Sequence, residues 1–273
     1  MTVRAFAPAK INLTLHVTGQ RDDGYHLLDS LVVFADIGDY LEFIPGPALS
    51  ITVTGEHAEG VPADTRNLVW QAAQAASWTG EVRLDKVLPH GAGIGGGSSD
   101  AATTLRVLSE LGAEIPYELP ASLGADVPVC MAAKAARMQG IGEQITPVRL
   151  PPLPAVLVNP GVPVPTGAVF AALASRENPA MVTDLPKFET VEECAFLLGT
   201  QRNDLEKPAV GIAPEIALVL DELSATTGAL LARMSGSGST CFALYPTKKA
   251  AHFAAHEIGA AHPGWWCRAV ELS

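Results

Sequence analysis

The sequence predicts a fold that mixes strands and helices in two domains, and three observations predict it. Stretches of apolar–polar alternation recur along the chain, as in Ala5–Val17 and Leu49–Thr54. Period two is the mark of a strand with one face turned inward. Between them stand stretches with the spacing of one helix face, such as Leu105, Leu108 and Leu111. A proline-rich connector, Pro147 to Pro154, interrupts the chain near its middle and marks a domain boundary. Length agrees, because 273 residues of which 48% are hydrophobic can build one large domain or two modest ones around a real core.

The first strand is Ala5–Val17. Ile11, Leu13, Leu15 and Val17 share one face, and Lys10, Asn12, Thr14 and His16 share the other. That polar face meets either solvent or a site. Asp23-Gly24 marks a turn, beside which Tyr25 and His26 are ordinary turn residues by default. Leu31–Ala35, Tyr40–Phe43 and Leu49–Thr54 read as strands, with Pro45-Gly46-Pro47 between the last two. A helix begins at Asn67, with Asp64 or Thr65 as its cap. Trp70 and Trp78 are packing residues, and Glu81–Val87 is a strand that delivers the chain to a glycine-rich loop. A helix follows from Ala101 to Leu111. Further on, Gly124 ends a helix and Asp126 caps or turns the next element.

Beyond the connector, Ala155–Asn159 is a strand. Pro163–Phe170 enters a helix, with Phe170 a core residue by default. Glu189–Leu198 and Pro214–Ala225 are helical. Leu230–Leu244 is a second glycine–serine loop between two apolar runs, Thr247–Gly259 a helix and Trp265–Leu272 a closing strand.

Composition excludes several classes. The net charge is −11, from 18 basic and 29 acidic residues, which argues against general affinity for nucleic acid. An anionic substrate would need local positive potential inside this repulsive field. Cys130, Cys194, Cys241 and Cys267 are widely spread with no C-x-x-C pair, so neither zinc ligation nor a disulfide framework is expected. Cys130 and Cys241 read as reduced core residues. No apolar run reaches membrane-spanning length and no leader pattern opens the chain, so a cytoplasmic protein is expected.

The chemistry is concentrated in Pro89–Ala102, Pro-His-Gly-Ala-Gly-Ile-Gly-Gly-Gly-Ser-Ser-Asp-Ala-Ala. Glycines at 91, 93, 95, 96 and 97 let a backbone approach a ligand closely and can aim several N–H groups at one anion. Ser98, Ser99 and Asp100 are N-cap residue types, and a helix N-terminus adds partial positive charge. A flexible linker rarely runs straight into a capped helix. Gly91, Gly93 and Gly96 satisfy G-x-G-x-x-G, but Pro89-His90 and Ser98–Asp100 separate them from the flanking strand and helix that a dinucleotide fingerprint requires. The third reading, beside the linker and the dinucleotide fingerprint, is a phosphate cradle for a nucleoside triphosphate, and without G-x-x-x-x-G-K-[S/T] it is not a Walker-type loop.

The stretch resembles the ATP-binding motif of the GHMP kinases, in the form found in their cytidyl-substrate branch. Four further segments resemble family motifs in the right order: Ala7–Leu13, Arg21–His26, Gly124–Pro128 and the loop around Gly236 and Gly238. The resemblance implies an α+β fold of two domains. Residues 1–150 would be a ribosomal protein S5 domain 2-like domain carrying ATP binding and catalysis. Residues 151–273 would be a ferredoxin-like C-terminal domain, with the site in the cleft between the two. Lys10 and Asp126 would be catalytic. Pro89, His90, Gly91, Ala92, Gly93, Ile94, Gly95, Gly96, Gly97, Ser98 and Ser99 would bind ATP, with Mg²⁺ carrying part of the charge through ligands the sequence does not identify. Asn12, Tyr25, His26, Thr166 and Phe170 would bind the substrate, with the two aromatic rings against cytosine and His26 on its polar edge. Asn203–Glu206 would tie the second domain to the site. Cys130-Met131 stand where the family commonly has aromatics, and Ala132-Ala133-Lys134 replace a glycine pair.

The implied reaction is ATP-dependent phosphorylation of the 2-hydroxyl of a cytidine-diphosphate-linked sugar alcohol, a step toward isoprenoid precursors. The enzyme would act as a monomer or homodimer on a small molecule. Two alternatives stay open: a GHMP kinase for another alcohol, of homoserine or mevalonate type, and a catalytically silent sensor of the same fold.

Overall fold

The computed structural model describes residues 2–273. In chain order the elements are β1 (Val3–Asn12), β2 (His16–Gln20), β3 (His26–Pro45), β4 (Ser50–Thr54), α1 (Leu68–Ala75), β5 (Gly80–Asp85), α2 (Gly96–Glu110), α3 (Leu119–Leu123), α4 (Val127–Ala132), β6 (Ala136–Gly140) and β7 (Gln144–Pro147). Then follow β8 (Leu153–Asn159), α5 (Thr166–Ala171), α6 (Val191–Gly199), α7 (Glu206–Ile212), α8 (Glu215–Ala225), β9 (Leu231–Met234), β10 (Cys241–Leu244), α9 (Lys248–Ala261) and β11 (Trp266–Leu272).

Two compact units emerge, neither contiguous in sequence. The first holds residues up to Lys10, 37–90 and 95–133; the second holds 11–36, 91–94 and 134–273. In the first, β4 runs parallel to β5, and β5 pairs antiparallel with residues 40–45 of β3. Leu41, Phe43, Val82 and Leu84 from these strands meet Val69 and Ala73 of α1 and Val107 and Leu108 of α2 in one core. Trp78 meets Phe43 edge-on at 5.9 Å, the packing role expected of it.

In the second unit the strand order β11-β8-β10-β9 is antiparallel throughout. With α8 between β8 and β9, and α9 between β10 and β11, this is the ferredoxin-like βαββαβ arrangement. β8 lies between two partners and every one of its residues is buried, which is why it reads as a continuous apolar run rather than an alternation. α8 and α9 cover the sheet with Ile216, Val219, Leu223, Ala251, Ala254 and Ile258.

Several expectations are corrected. Ala5–Val17 is not one strand: Leu13 N donates to Leu31 O and Leu15 N to Arg202 O, so the backbone changes partner and β1 ends before β2 begins. Its polar face does not meet solvent, because Lys10, Asn12, Thr14 and His16 are each at most 3% exposed. The strands at 31–35 and 40–43 are one strand, β3, whose first part pairs with β2 and β6 and whose last part pairs with β5. The cap of α1 is Asn67, whose side chain accepts from Val69 N at 2.9 Å; Asp64 instead holds Arg66. α2 begins at Gly96 rather than Ala101, with Gly95 as its cap. β6, β7 and α7 had no clear periodic signal, since each is seven residues or fewer.

A bidentate ion pair fixes the second unit's 181–183 segment. Arg137 Nε donates to Asp29 Oδ1 at 2.8 Å and its Nη2 to Oδ2 at 2.6 Å, while its remaining N–H groups reach the carbonyls of Met181, Val182 and Thr183. Asp29 is 1% exposed. Arg137→Met therefore leaves a buried carboxylate with its charge unpaired, and a urea melt should show a loss of about 3–5 kcal/mol.

Candidate active site

In the first unit Lys10 meets Asp126 and Gly95. It lies near the end of β1, where residues 7–12 are all buried, and its Nζ sits 3.0 Å from Asp126 Oδ2. The lysine side chain is 4% exposed and the aspartate 33%, so the ammonium is enclosed while the carboxylate keeps a solvent-facing side. Asp126 stands at the N-cap position of α4 but makes no capping hydrogen bond. Its side chain is thus spent on the lysine and not on the helix, contrary to the ordinary capping role.

One glycine of the run, Gly95, lies against the same lysine. Gly95 has φ +62°, and a Cβ there would lie 3.0 Å from Lys10 Cε and 3.1 Å from its Cβ. Only a residue without a side chain lets α2 start against that stem. The start of α2 thus lies against the lysine stem, and a helix N-terminus carries partial positive charge that can attract an anion. Ser99 is buried and its Oγ has no hydrogen-bond partner among the described residues. Ser98 is half-buried and Gly96 also, Gly97 is exposed, Pro89 is half-buried and His90 exposed.

Residues 91–94 belong to the second unit. Gly91 is exposed, Ala92 and Ile94 are buried, and Gly93 between them is half-buried. This alternation pins the loop by two buried apolar side chains, one of them the large Ile94. Ser235 Oγ donates to Gly93 O at 3.0 Å and accepts from Asn12 N at 3.1 Å, and Thr240 N donates to Ala92 O at 3.1 Å. The glycine–serine loop 235–240 therefore backs the first loop. Asn203 holds it in turn, donating from one amide nitrogen to Met234 O at 2.8 Å and Gly236 O at 2.9 Å.

Of the residues expected to bind substrate, His26 and Phe170 come together: their rings stack at 4.7 Å with 28° between planes. Burial of the imidazole, with Arg176 nearby, holds its pKa below the usual histidine range, and its Nε2 is buried without a partner among the described residues. A neutral ring with a free nitrogen can read a polar edge. Phe170 is half-buried while its neighbour Val169 takes the core position. Tyr25 is 59% exposed. Thr166 is exposed and its hydroxyl meets Ser237 Oγ at 2.9 Å. Asn12 is 1% exposed, and its Nδ2 donates to Ser30 Oγ at 2.7 Å.

Sequence reading missed Arg233, which is 7% exposed and ties Leu13, Leu198 and Gln201 carbonyls together. A lone arginine inside an apolar strand was the available signal. The departures near Asp126 are accommodated. Cys130 is fully buried, and burial pushes its thiol pKa upward. Ala133, in place of an expected glycine, takes the left-handed conformation at φ +46°. Ala133→Gly should raise stability by about 0.5–1 kcal/mol in thermal unfolding, as relief of strain exceeds the added chain entropy.

The chain is similar to known proteins along nearly its whole length. Residues 67–141 match the family model described as the GHMP kinases N terminal domain, and residues 181–264 the model described as GHMP kinases C terminal. A relative from Dinoroseobacter shibae named 4-diphosphocytidyl-2-C-methyl-D-erythritol kinase is 59% identical over 97% of this chain and 93% of its own. One of the same name from Cereibacter sphaeroides is 56% identical over 96% of each. A crystal structure of 4-(cytidine 5'-diphospho)-2C-methyl-D-erythritol kinase superposes with TM-score 0.78 at 35% identity, covering 99% of both chains.

Proposed function

The chain belongs to the GHMP kinases, and from that premise we propose that it transfers the γ-phosphoryl group of ATP to the 2-hydroxyl of 4-diphosphocytidyl-2-C-methyl-D-erythritol, in non-mevalonate isoprenoid-precursor synthesis. The observation that carries the chemistry is the Lys10–Asp126 pair at 3.0 Å, with the start of α2 against the lysine stem. The relatives' names carry the choice of acceptor.

Asp126 orients the acceptor hydroxyl and takes its proton as the new P–O bond forms. Its partly exposed side can meet a substrate while its other side stays locked to Lys10. Lys10 holds that carboxylate in one geometry and supplies enclosed positive charge where negative charge develops. Residues 89–99 cradle the phosphates through backbone N–H groups. Such transfer depends on positioning and electrostatics more than on covalent help from the protein.

Magnesium, when bound, supplies charge neutralisation on the phosphate oxygens. Among the described residues no group of three or more His, Cys, Asp or Glu side chains is placed to hold a metal. A hydroxyl such as that of Ser98 or Ser99 would support the ion from the protein side; Ser99 Oγ, buried and without a partner among the described residues, favours the latter.

The same reading assigns Asn12, Tyr25, His26, Thr166 and Phe170 to the cytidyl end, and assigns residues 1–150 and 151–273 to the N- and C-terminal domains. The two family matches fall one in each segment. The enzyme would work in the cytoplasm as a monomer or homodimer. Phe170→Ala removes the partner of the His26 ring. Loss of a stacking surface should raise the KM for the cytidyl acceptor by about tenfold or more while leaving the KM for ATP unchanged, as steady-state kinetics would show.

The direct test is ATP consumption with Mg²⁺ and each of three acceptors: the cytidyl alcohol, homoserine and mevalonate. Turnover with the cytidyl alcohol alone is expected. Turnover with another acceptor would discard the base pocket and keep the kinase. ATP binding without turnover on any of the three would overturn the kinase reading in favour of a sensor.

A further inference from the structure

A buried cluster of three charges lies beside the glycine run, outside the catalytic pair. Lys86 follows the last residue of β5, Asp39 lies in β3, and Asp100 is the fifth residue of α2. They are 2%, 0% and 2% exposed. Asp39 Oδ1 accepts from the backbone N–H groups of Val87 at 2.7 Å and Leu88 at 2.9 Å. Its Oδ2 is paired with Lys86 Nζ. The same Nζ donates to Asp100 Oδ2 at 2.9 Å. Asp39 thus grips the chain just before residue 89, and Lys86 carries that grip to the first turns of α2, just past residue 99.

The charges do not balance. One ammonium faces two carboxylates, and Asp39 alone would neutralise it. Asp100 is therefore surplus, and its Oδ1 is buried with no hydrogen-bond partner among the described residues. Burial, opposed by Lys86 and reinforced by Asp39, pushes its pKa up to about 7. Burial works against the Lys86 ammonium too, but Asp100 and Asp39 overcome it and raise its pKa. An extra buried acid with an unsatisfied oxygen is a poor way to gain stability, so its presence at the loop boundary asks for another reason.

We propose that Asp39, Lys86 and Asp100 form a staple that closes the two ends of the phosphate loop, with Asp100 a positioning residue for ATP. This rests on the reading of residues 89–99 as the ATP cradle. A glycine-rich loop has more conformational freedom to lose than any other. A loop with both ends tied to one buried ammonium has lost part of that freedom before nucleotide arrives, so its N–H groups stand ready.

The test exploits the surplus. Asp100→Leu removes the bridge yet leaves Lys86 and Asp39 as a balanced pair, so no charge is stranded. It should melt within a few degrees of wild type. The KM for ATP should rise by about ten- to a hundredfold, with the KM for the cytidyl acceptor within about twofold. Amide hydrogen exchange of Gly91–Gly97, measured without nucleotide, should quicken. Asp100→Asn keeps an oxygen for Lys86 and should restore the ATP KM to within about threefold of wild type. Should the leucine protein fail to fold, Asp100→Ala replaces it. An unchanged ATP KM, unchanged loop exchange, or an asparagine variant as impaired as leucine would each overturn the staple. A wild-type enzyme that does not use ATP would refute the cradle itself before any variant is made, while the exchange measurement would still report on the loop.

Discussion

Asp126→Asn should lower kcat by about 10²–10⁴-fold, the range for loss of a positioned base, while the dissociation constant for ATP stays within about threefold. The amide keeps the size and shape of the carboxylate and can still accept from Lys10 Nζ, now 3.0 Å away. It cannot take a proton from the acceptor hydroxyl. Asp126 makes no capping bond to α4, so the helix loses nothing. The enclosed Lys10 ammonium loses its charge partner, so some stability is lost as well, but the loss of activity falls on turnover and not on nucleotide binding. Single-turnover kinetics beside equilibrium ATP binding separates the two. Activity within about tenfold of wild type would remove Asp126 from the role of base and leave Lys10 and the phosphate cradle as the source of rate enhancement.

Gly93→Ala should cost about 2–5 kcal/mol and weaken ATP binding by at least about tenfold. The backbone there has φ +74°, and an added Cβ would lie 2.6 Å from Ser235 O, 2.7 Å from Gly238 O and 2.8 Å from Gly238 N. All three are backbone atoms, so no side-chain rotation can relieve the overlap. Left-handed strain contributes about 1–2 kcal/mol, and forced displacement of a packed segment adds about 1–3. The shift also threatens the Ser235 and Thr240 hydrogen bonds that seat residues 92 and 93. Gly91→Ala is the control. Its φ is +64°, but nothing lies within 4 Å of the new Cβ, so only the strain remains. Equal effects at the two positions, in thermal unfolding and ATP titration, would show that the contact with loop 235–240 is not what requires glycine.

Much of the site was legible because its chemistry is local in sequence. The glycine run, Lys10 in Ala7–Leu13 and Asp126 in Gly124–Pro128 each carry their meaning in a few adjacent residues. The C-terminal sheet was legible because β8, β9, β10 and β11 are short apolar runs with clear turn signals between them. The polar face of the first strand was not. Alternation says that Lys10, Asn12, Thr14 and His16 share a side, but not what covers that side. Nor did it show where α2 begins. Glycines and serines are poor helix formers on propensity, yet Gly96–Ser99 are helical because packing against neighbouring elements outweighs that preference.

By itself the sequence determined the residue types, the order of the motifs and the periods of the strands and helices. These follow from chain chemistry that acts over a few residues. The tertiary structure alone decided which distant groups meet. It brought Asp126 to Lys10 across more than a hundred residues. It stacked Phe170 on His26, and it enclosed Lys86 between two carboxylates from separate elements. Such pairings are set by how sheets and helices pack. An ammonium in Leu84–Leu88 looks like any surface lysine until the fold takes water away from it.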